Sequence, residues 1–154
     1  MKNLWKKRAT EIIKLIDKKE ITTEEVLSSS INRINDINPK VNALVTICEK
    51  KARLSLKINN KNQTNNILRS MPVIIKDMNE VLGVRTTYGS MLYKDNIPKK
   101  SDIIVETIEK NGGIILGKSN IPEFAAGSHT YNDLFGTTKN PWNMNLSAGG
   151  SSGG

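Results

Sequence analysis

The sequence contains a single cysteine, a single histidine and few aromatic residues, which make up 5% of its 154 positions. One cysteine, Cys48, cannot form an internal disulfide, and this pattern is typical of a reducing compartment. The chain also offers no cluster of His and Cys side chains of the kind that binds zinc. No apolar run approaches the about 20 residues of a membrane-spanning helix, and no apolar segment follows the basic N-terminus as in a secretory signal. We therefore expect a cytoplasmic protein with no membrane partner.

Acidic residues are outnumbered: 15 Asp and Glu accompany 23 Lys and Arg, for a net charge of +8. A basic chain can bind nucleic acid, usually through a basic patch with aromatic side chains on which bases stack. Here the lysines are scattered in pairs, and no aromatic residues alternate with them. This pattern favours a solvated surface, so nucleic acid is not the expected partner. With 37% hydrophobic residues, the composition is that of a globular chain.

The first 58 residues predict a helical N-terminal arm. Apolar residues recur at helical spacing over residues 9–19 and again after Thr22. Thr22 and Glu25 have the spacing of a capping box, in which each side chain bonds the other residue's backbone at a helix start. This second helix is expected to stop near Asn38-Pro39, because the residue before a proline disfavours the helical conformation. The rest of the arm is β-like at residues 41–47 and helical in composition at residues 49–58.

A polar linker is predicted at residues 59–70, followed by an α/β body at residues 71–154. Two apolar runs in the body, Pro72–Asp77 and Ile114–Gly117, predict buried strands. Between them, Ser101 is expected to cap a helix that ends at residues 111–113. A strand, a helix and a second strand in this order predict a right-handed crossover and a mostly parallel local sheet.

Lys76 lies at the carboxyl end of the first predicted strand, where open α/β sheets carry their site residues. The alternative is a lysine that only leaves the core for water. Further along, Pro122 is expected to start a short helix with Asn120 as its cap. Gly136 and Asn140-Pro141 then mark a long loop.

The loop leads to the run Ser147–Gly154, in which four of eight residues are glycine and three are serine. A flexible tail is one interpretation. A phosphate loop is disfavoured because no lysine follows the glycines. The segment 149–153 matches the G-x-S-x-G nucleophile elbow, but the residues before it predict a loop, and the only histidine, His129, lies upstream rather than downstream. The third interpretation is a serine that works with a distant lysine.

From Pro72 onward, an ordered series of motifs resembles the amidase signature family. The motifs are Pro72-Val73-Ile74-Ile75-Lys76-Asp77; Gly83 with Thr86-Thr87 and Gly89-Ser90; Gly117-Lys118-Ser119-Asn120 with Pro122-Glu123-Phe124; Phe135-Gly136 with Asn140-Pro141-Trp142; and Gly149-Gly150-Ser151-Ser152-Gly153-Gly154. Several motifs in the right order are far more specific than any one of them.

The resemblance implies an α/β/α domain with a mixed sheet covered by helices, and a Ser–cis-Ser–Lys triad. Carried over by motif, Lys76 is the base and Ser151 the bridging serine, with Gly149, Gly150 and Ser152 supporting the loop. The family's nucleophile is a second serine further along, and family members are several times longer. The chain is therefore expected to be the N-terminal part of an amidase and inactive by itself. No metal or cofactor is implied.

A lysine can act as the base only when it is neutral, which a dry environment favours. Val73, Ile74 and Ile75 are expected to supply that environment, and Asp77 to oppose it. The implied substrate is a small-molecule amide. The segments 122–124 and 127–130 look more like general amidases of broad substrate range.

Two alternatives remain open. The chain also resembles the amidase component of the tRNA-dependent glutamine amidotransferase, and only within such a complex would nucleic acid be a partner. The third hypothesis is a non-catalytic remnant. His129 is a weaker candidate for a base, because the resemblance already supplies one and a single histidine in a loop is more often a surface residue.

Overall fold

The structure, a computed structural model, describes residues 3–62 and 66–154. The helices and strands are α1 (Ala9–Asp17), α2 (Thr23–Val41), β1 (Leu44–Ile47), α3 (Glu49–Asn62), β2 (Pro72–Lys76), α4 (Ile103–Lys110), β3 (Ile114–Ser119), β4 (Tyr131–Asn132), β5 (Gly136–Thr137), β6 (Lys139–Asn140) and β7 (Asn143–Ser147). Short 3-10 turns lie at Leu4–Lys6, Met91–Tyr93 and Glu123–Ala125. None of the helices described has both the length and the apolar character that crossing a bilayer requires.

The capping box predicted at the start of α2 is present. The Thr22 hydroxyl accepts from the Glu25 N–H at 3.1 Å, and the Glu25 carboxylate accepts from the Thr22 N–H at 2.7 Å. The predicted helix end is wrong, because α2 continues through Pro39 to Val41. Pro39 lies in the last turn, where the missing N–H costs a single hydrogen bond. Asn42, at φ 54°, takes the left-handed conformation that ends the helix.

Three strands form a mixed sheet in the order β1-β3-β2. β2 and β3 are parallel and are joined through α4, as the strand–helix–strand pattern predicts. β1, which comes from the first 58 residues, pairs antiparallel with β3. The mixed sheet expected from the family resemblance is therefore confirmed.

The central strand β3 is buried along its whole length, and it extends two residues beyond the predicted run, to Ser119. The prediction for β2 is only partly correct: Ile75 is buried, but Ile74 is 36% exposed. Successive side chains of a strand point to opposite faces, and β2 lies at the edge of these three strands. An unbroken apolar run therefore does not ensure that both faces are covered.

The core lies on both faces of β3, because its alternate side chains point in opposite directions. On one face, Leu116 packs with Leu27 of α2 and Leu56 of α3. On the other face, Ile115 packs with Val105 of α4 and with Ile75. A separate cluster joins the N-terminal turn to α1 and α2; its buried members are Leu4, Ile12, Ile21 and Val26.

Three further local predictions need correction. α3 runs to Asn62, four residues into the segment assigned to a polar linker, of which residues 63–65 lie outside the described residues. The N-cap of α4 is Asp102, whereas the Ser101 hydroxyl accepts from the Leu82 N–H at 2.9 Å. The long loop predicted after Gly136 is folded into short antiparallel pairs, β4 with β5 and β6 with β7.

Candidate active site

The fold brings Lys76 and Ser151 together, although 75 positions separate them in the sequence. Lys76 ends β2 and is partly buried, and its Nζ donates to Ser151 Oγ at 2.6 Å. Ser151 lies in the glycine–serine loop that follows β7, and the Gly150–Ser151 peptide bond is cis. The alternative that Lys76 merely leaves the core for water does not account for this contact. The geometry suits proton transfer between an amine and a hydroxyl.

The glycine–serine loop is bonded to the segment 127–130, which disfavours the flexible-tail interpretation. The Gly150 N–H donates to the Ser128 carbonyl at 2.7 Å, and the Thr130 hydroxyl donates to the Gly149 carbonyl at 3.1 Å. Gly149 also forms an isolated β-bridge with His129. Ser152 is exposed, and the hydrogen bond from Lys76 goes to Ser151 rather than to Ser152.

The nucleophile-elbow interpretation fails on the partner of the serine. The residues before the loop, predicted to be irregular, form β7, yet that strand is mostly exposed. His129 Nδ1 lies 3.1 Å from Ser147 Oγ, while Ser151 is bonded by Lys76. A serine activated by histidine needs that histidine within hydrogen-bond reach. The geometry therefore favours the serine–lysine interpretation.

Lys118 is the residue that sequence reasoning missed. It lies on β3 and is fully buried; its Nζ donates to the Asn79 carbonyl and to Thr86 Oγ1, both at 2.7 Å, and lies 3.2 Å from Asp77 Oδ1. Burial lowers the pKa of Lys118, and the Asp77 carboxylate partly offsets this effect. A lysine within a run of residues predicted to be buried was the available signal, because lysines are almost never fully buried unless they are paired.

Asp77 does not face Lys76, as had been expected, but points into the protein. One carboxylate oxygen accepts from both the N–H and the hydroxyl of Thr87. The other accepts no hydrogen bond within the described part of the chain and is held by charge beside Lys118. The negative charge next to Lys76 in the sequence is therefore compensated by a different lysine.

Asn120 does not cap the turn at Glu123–Ala125, as predicted, but joins the end of β3 to the following hairpin. Its side-chain oxygen accepts from Asn132 Nδ2 at 2.8 Å, and its amide donates to Thr138 Oγ1 at 3.0 Å. Asn120 is fully buried, and such a network fixes a loop because every broken bond would leave a buried polar group unpaired. Asn120 thus supports the segment on which the glycine–serine loop rests.

A cavity of about 700 Å³ lies beside the glycine–serine loop. One wall is formed by residues 127–129, whose other side contacts Gly150. Glu123 and Asp133 add two carboxylates to the lining. The volume lies within the range of small-molecule sites, roughly 300–1,000 Å³. Among the residues described, no group of three or more His, Cys, Asp or Glu side chains could hold a metal ion.

A helix-covered mixed sheet with a serine–lysine pair at a strand end is shared with solved amidase structures. The chain superimposes on a bacterial aryl acylamidase of the amidase signature family with a TM-score of 0.87 and 29% identity, covering 96% of this chain and 32% of that one. It superimposes on a Glutamyl-tRNA(Gln) amidotransferase subunit from Thermotoga maritima with a TM-score of 0.76 and 29% identity, covering 97% and 30% of the two chains.

The family model described as Amidase matches residues 25–154. The chain therefore belongs to the amidase signature family, and the family resemblance of its motifs is confirmed. Among its relatives, a Glutamyl-tRNA(Gln) amidotransferase subunit from Caldanaerobacter subterraneus subsp. tengcongensis is 44% identical over 147 residues. That match covers 94% of this chain but 30% of the relative, so the chain spans under a third of the relative's length.

Proposed function

We propose that this chain supplies the lysine base and the relay serine of an amidase that hydrolyses the C–N bond of a carboxylic amide. The observation that carries the proposal is the 2.6 Å contact between Lys76 Nζ and Ser151 Oγ. A serine hydroxyl is a weak nucleophile until a base removes its proton, and a lysine next to a second hydroxyl provides a path for that proton. The cavity beside residues 127–129 is of a size to accept a small-molecule amide.

In the proposed reaction, neutral Lys76 takes the proton of Ser151 as Ser151 takes the proton of the attacking hydroxyl. The new oxygen–carbon bond gives a tetrahedral intermediate, and the proton returns along the same path to the leaving amine as the C–N bond breaks. We assign the attacking hydroxyl to a serine outside residues 1–154. The chain spans 30% of the length of its 44% identical relative, which leaves room for that serine.

A second candidate function is supported by the sequence comparison. The 44% identity to a Glutamyl-tRNA(Gln) amidotransferase subunit exceeds the 29% identity to the aryl acylamidase. In this role the amide nitrogen would be transferred to glutamyl-tRNA rather than released, and the partners would be tRNA and the other polypeptides of the complex. Lys76 and Ser151 would have the same tasks in both functions.

The test uses the protein expressed from its natural reading frame, assayed for ammonia release from small amides and from glutamine. Lys76→Ala and Ser151→Ala are each expected to reduce the rate by about 10²- to 10⁴-fold, because each breaks the proton path. Lys94→Ala, which changes an exposed lysine outside the site, is the matched control and should retain the rate. A near-native rate in Lys76→Ala would overturn the proposal.

The same assay separates the two candidate functions. Release from glutamine that depends on added glutamyl-tRNA(Gln) supports the amidotransferase role, whereas turnover of several small amides without tRNA supports a general amidase. Residues 1–154 alone are expected to show no turnover, because the nucleophile is assigned elsewhere. Turnover by residues 1–154 that is lost in Ser151→Ala would make Ser151 itself the nucleophile.

A further inference from the structure

We propose that Lys118 is a positioning residue for Lys76 that acts through Asp77. By neutralising the Asp77 carboxylate on the far side of the β2 end, Lys118 leaves Lys76 free to bond Ser151 instead of pairing with its neighbour in the sequence. This inference rests on the proposed role of Lys76. Its test measures the chemical reactivity of Lys76 and does not depend on hydrolysis.

The first step in the argument is the divergence of two consecutive side chains where β2 ends. Successive residues of an extended segment point to opposite faces. Lys76 reaches Ser151 on one side, and Asp77 reaches Lys118, at 3.2 Å, on the other. The backbone of Asp77 is held as well: its N–H donates to the Ser119 carbonyl, and its carbonyl accepts from the Tyr88 N–H, both at 3.1 Å.

The second step is that neither charge of the pair can be compensated by water. The Asp77 residue and the Lys118 residue are both 0% exposed. Thr87 bonds one oxygen of the Asp77 carboxylate, but it is neutral and cannot cancel the charge. The other charged or titratable groups that face Lys118 are Cys48, from the segment after β1, and Asp102, at the start of α4. Neither group carries a positive charge that could replace Lys118 beside Asp77.

The third step identifies what the Asp77 charge would do without Lys118. A buried carboxylate attracts the nearest available cation, and Lys76 is adjacent in the sequence. A lysine beside an uncompensated carboxylate is stabilised as the ammonium ion, the form that cannot accept a proton. Lys118 thus removes an electrostatic competitor of Ser151 for the Lys76 amine, in addition to any contribution to stability.

The experiment is trace acetylation of the lysines with acetic anhydride across the alkaline pH range, with Lys76 measured by peptide mass spectrometry. Only the neutral amine reacts, and exposed Lys94 in the same sample is the internal control. Removing the positive charge in Lys118→Met is expected to move the Lys76 profile to higher pH by about one unit or more, and so to slow labelling roughly tenfold below the plateau. Asp77→Asn is expected to move it to lower pH.

A double variant, Lys118→Met with Asp77→Asn, separates charge from packing, because it removes both charges and should restore the original Lys76 profile. A purely structural role would change thermal unfolding but leave the Lys76 profile of the folded variants unaltered, and that result would overturn the proposal. Circular dichroism identifies the folded variants, and if Lys118→Met does not fold, Asp77→Asn provides the same test with the opposite sign. If Lys76 shifts as expected but Lys76→Ala retains hydrolysis, the proposed function fails while this inference holds.

Discussion

Two adjacent glycines of the glycine–serine loop are expected to respond very differently to the same substitution. A Cβ added at Gly150 would lie 2.7 Å from the Gly127 carbonyl oxygen and 3.0 Å from the Ser128 carbonyl carbon, inside the ordinary contact range of 3.4 Å or more. Both contacts are with backbone, which cannot move aside as the end of a flexible side chain can. At Gly149, an added Cβ meets nothing within 4 Å, and φ lies outside the left-handed region.

The magnitudes follow from these contacts. Forcing a methyl group into a filled space costs about 1–3 kcal/mol of unfolding free energy, and we expect Gly150→Ala to fall within this range. For a chain of this size that corresponds to a fall in the unfolding temperature of roughly 2–4 °C per kcal/mol. Gly149→Ala should be neutral or should stabilise the fold by about 0.4–1 kcal/mol, because alanine has fewer unfolded conformations than glycine.

The assay is urea or thermal unfolding of the two variants beside the parent chain, followed by Lys76 acetylation. Because the added methyl group pushes the loop away from residues 127–129, Gly150→Ala should also weaken the contact between Ser151 and Lys76. Equal stability of the two alanine variants would refute the reasoning, since the substitution is chemically identical and only the surroundings differ. Greater damage from Gly149→Ala would show that the loop packs on residues 127–129 in another way.

Three further predictions concern the nucleophile, the core and the cysteine. In the protein expressed from its natural reading frame, a fluorophosphonate should label a serine outside residues 1–154; Ser151→Ala should slow the labelling more than Ser152→Ala, and peptide maps that show an adduct on Ser151 would contradict the relay assignment. Leu56→Ala should cost about 2–5 kcal/mol in denaturant unfolding because it empties a buried site, whereas Leu92→Ala, at a residue that is 84% exposed, should change stability by less than about 0.5 kcal/mol. Burial raises the pKa of the Cys48 thiol, partly offset by Lys51 and Lys118, so the fold favours the neutral thiol. Its stability should be insensitive to Cys48 below the ordinary thiol pKa and should fall as the pH rises above it, which unfolding of the parent and of Cys48→Ala across that range will measure.

Local sequence was sufficient to predict the elements whose cause is local. The capping box at Thr22 and Glu25 forms because the two residues lie one helical turn apart, and the strands at residues 72–76 and 114–119 follow from short apolar runs. The order of motifs from Pro72 onward was sufficient to indicate the family. Lys76 and Ser151 were candidates for the same reason, since each lies within a motif that can be recognised without knowledge of its neighbours.

Which of these residues meet, and which charges they meet, depends on the folded chain. Whether Ile74 or Ile75 is buried depends on what covers each face of β2, and no local pattern records this. The partner of Asp77 is Lys118, 41 positions away and on another strand, so adjacency in the sequence wrongly suggested Lys76. Asn120 bonds a hairpin formed later in the chain instead of the turn beside it. A buried polar group takes whatever partner the fold brings within about 3 Å, and that distance is set by the packing of the sheet and not by the spacing of residues along the chain.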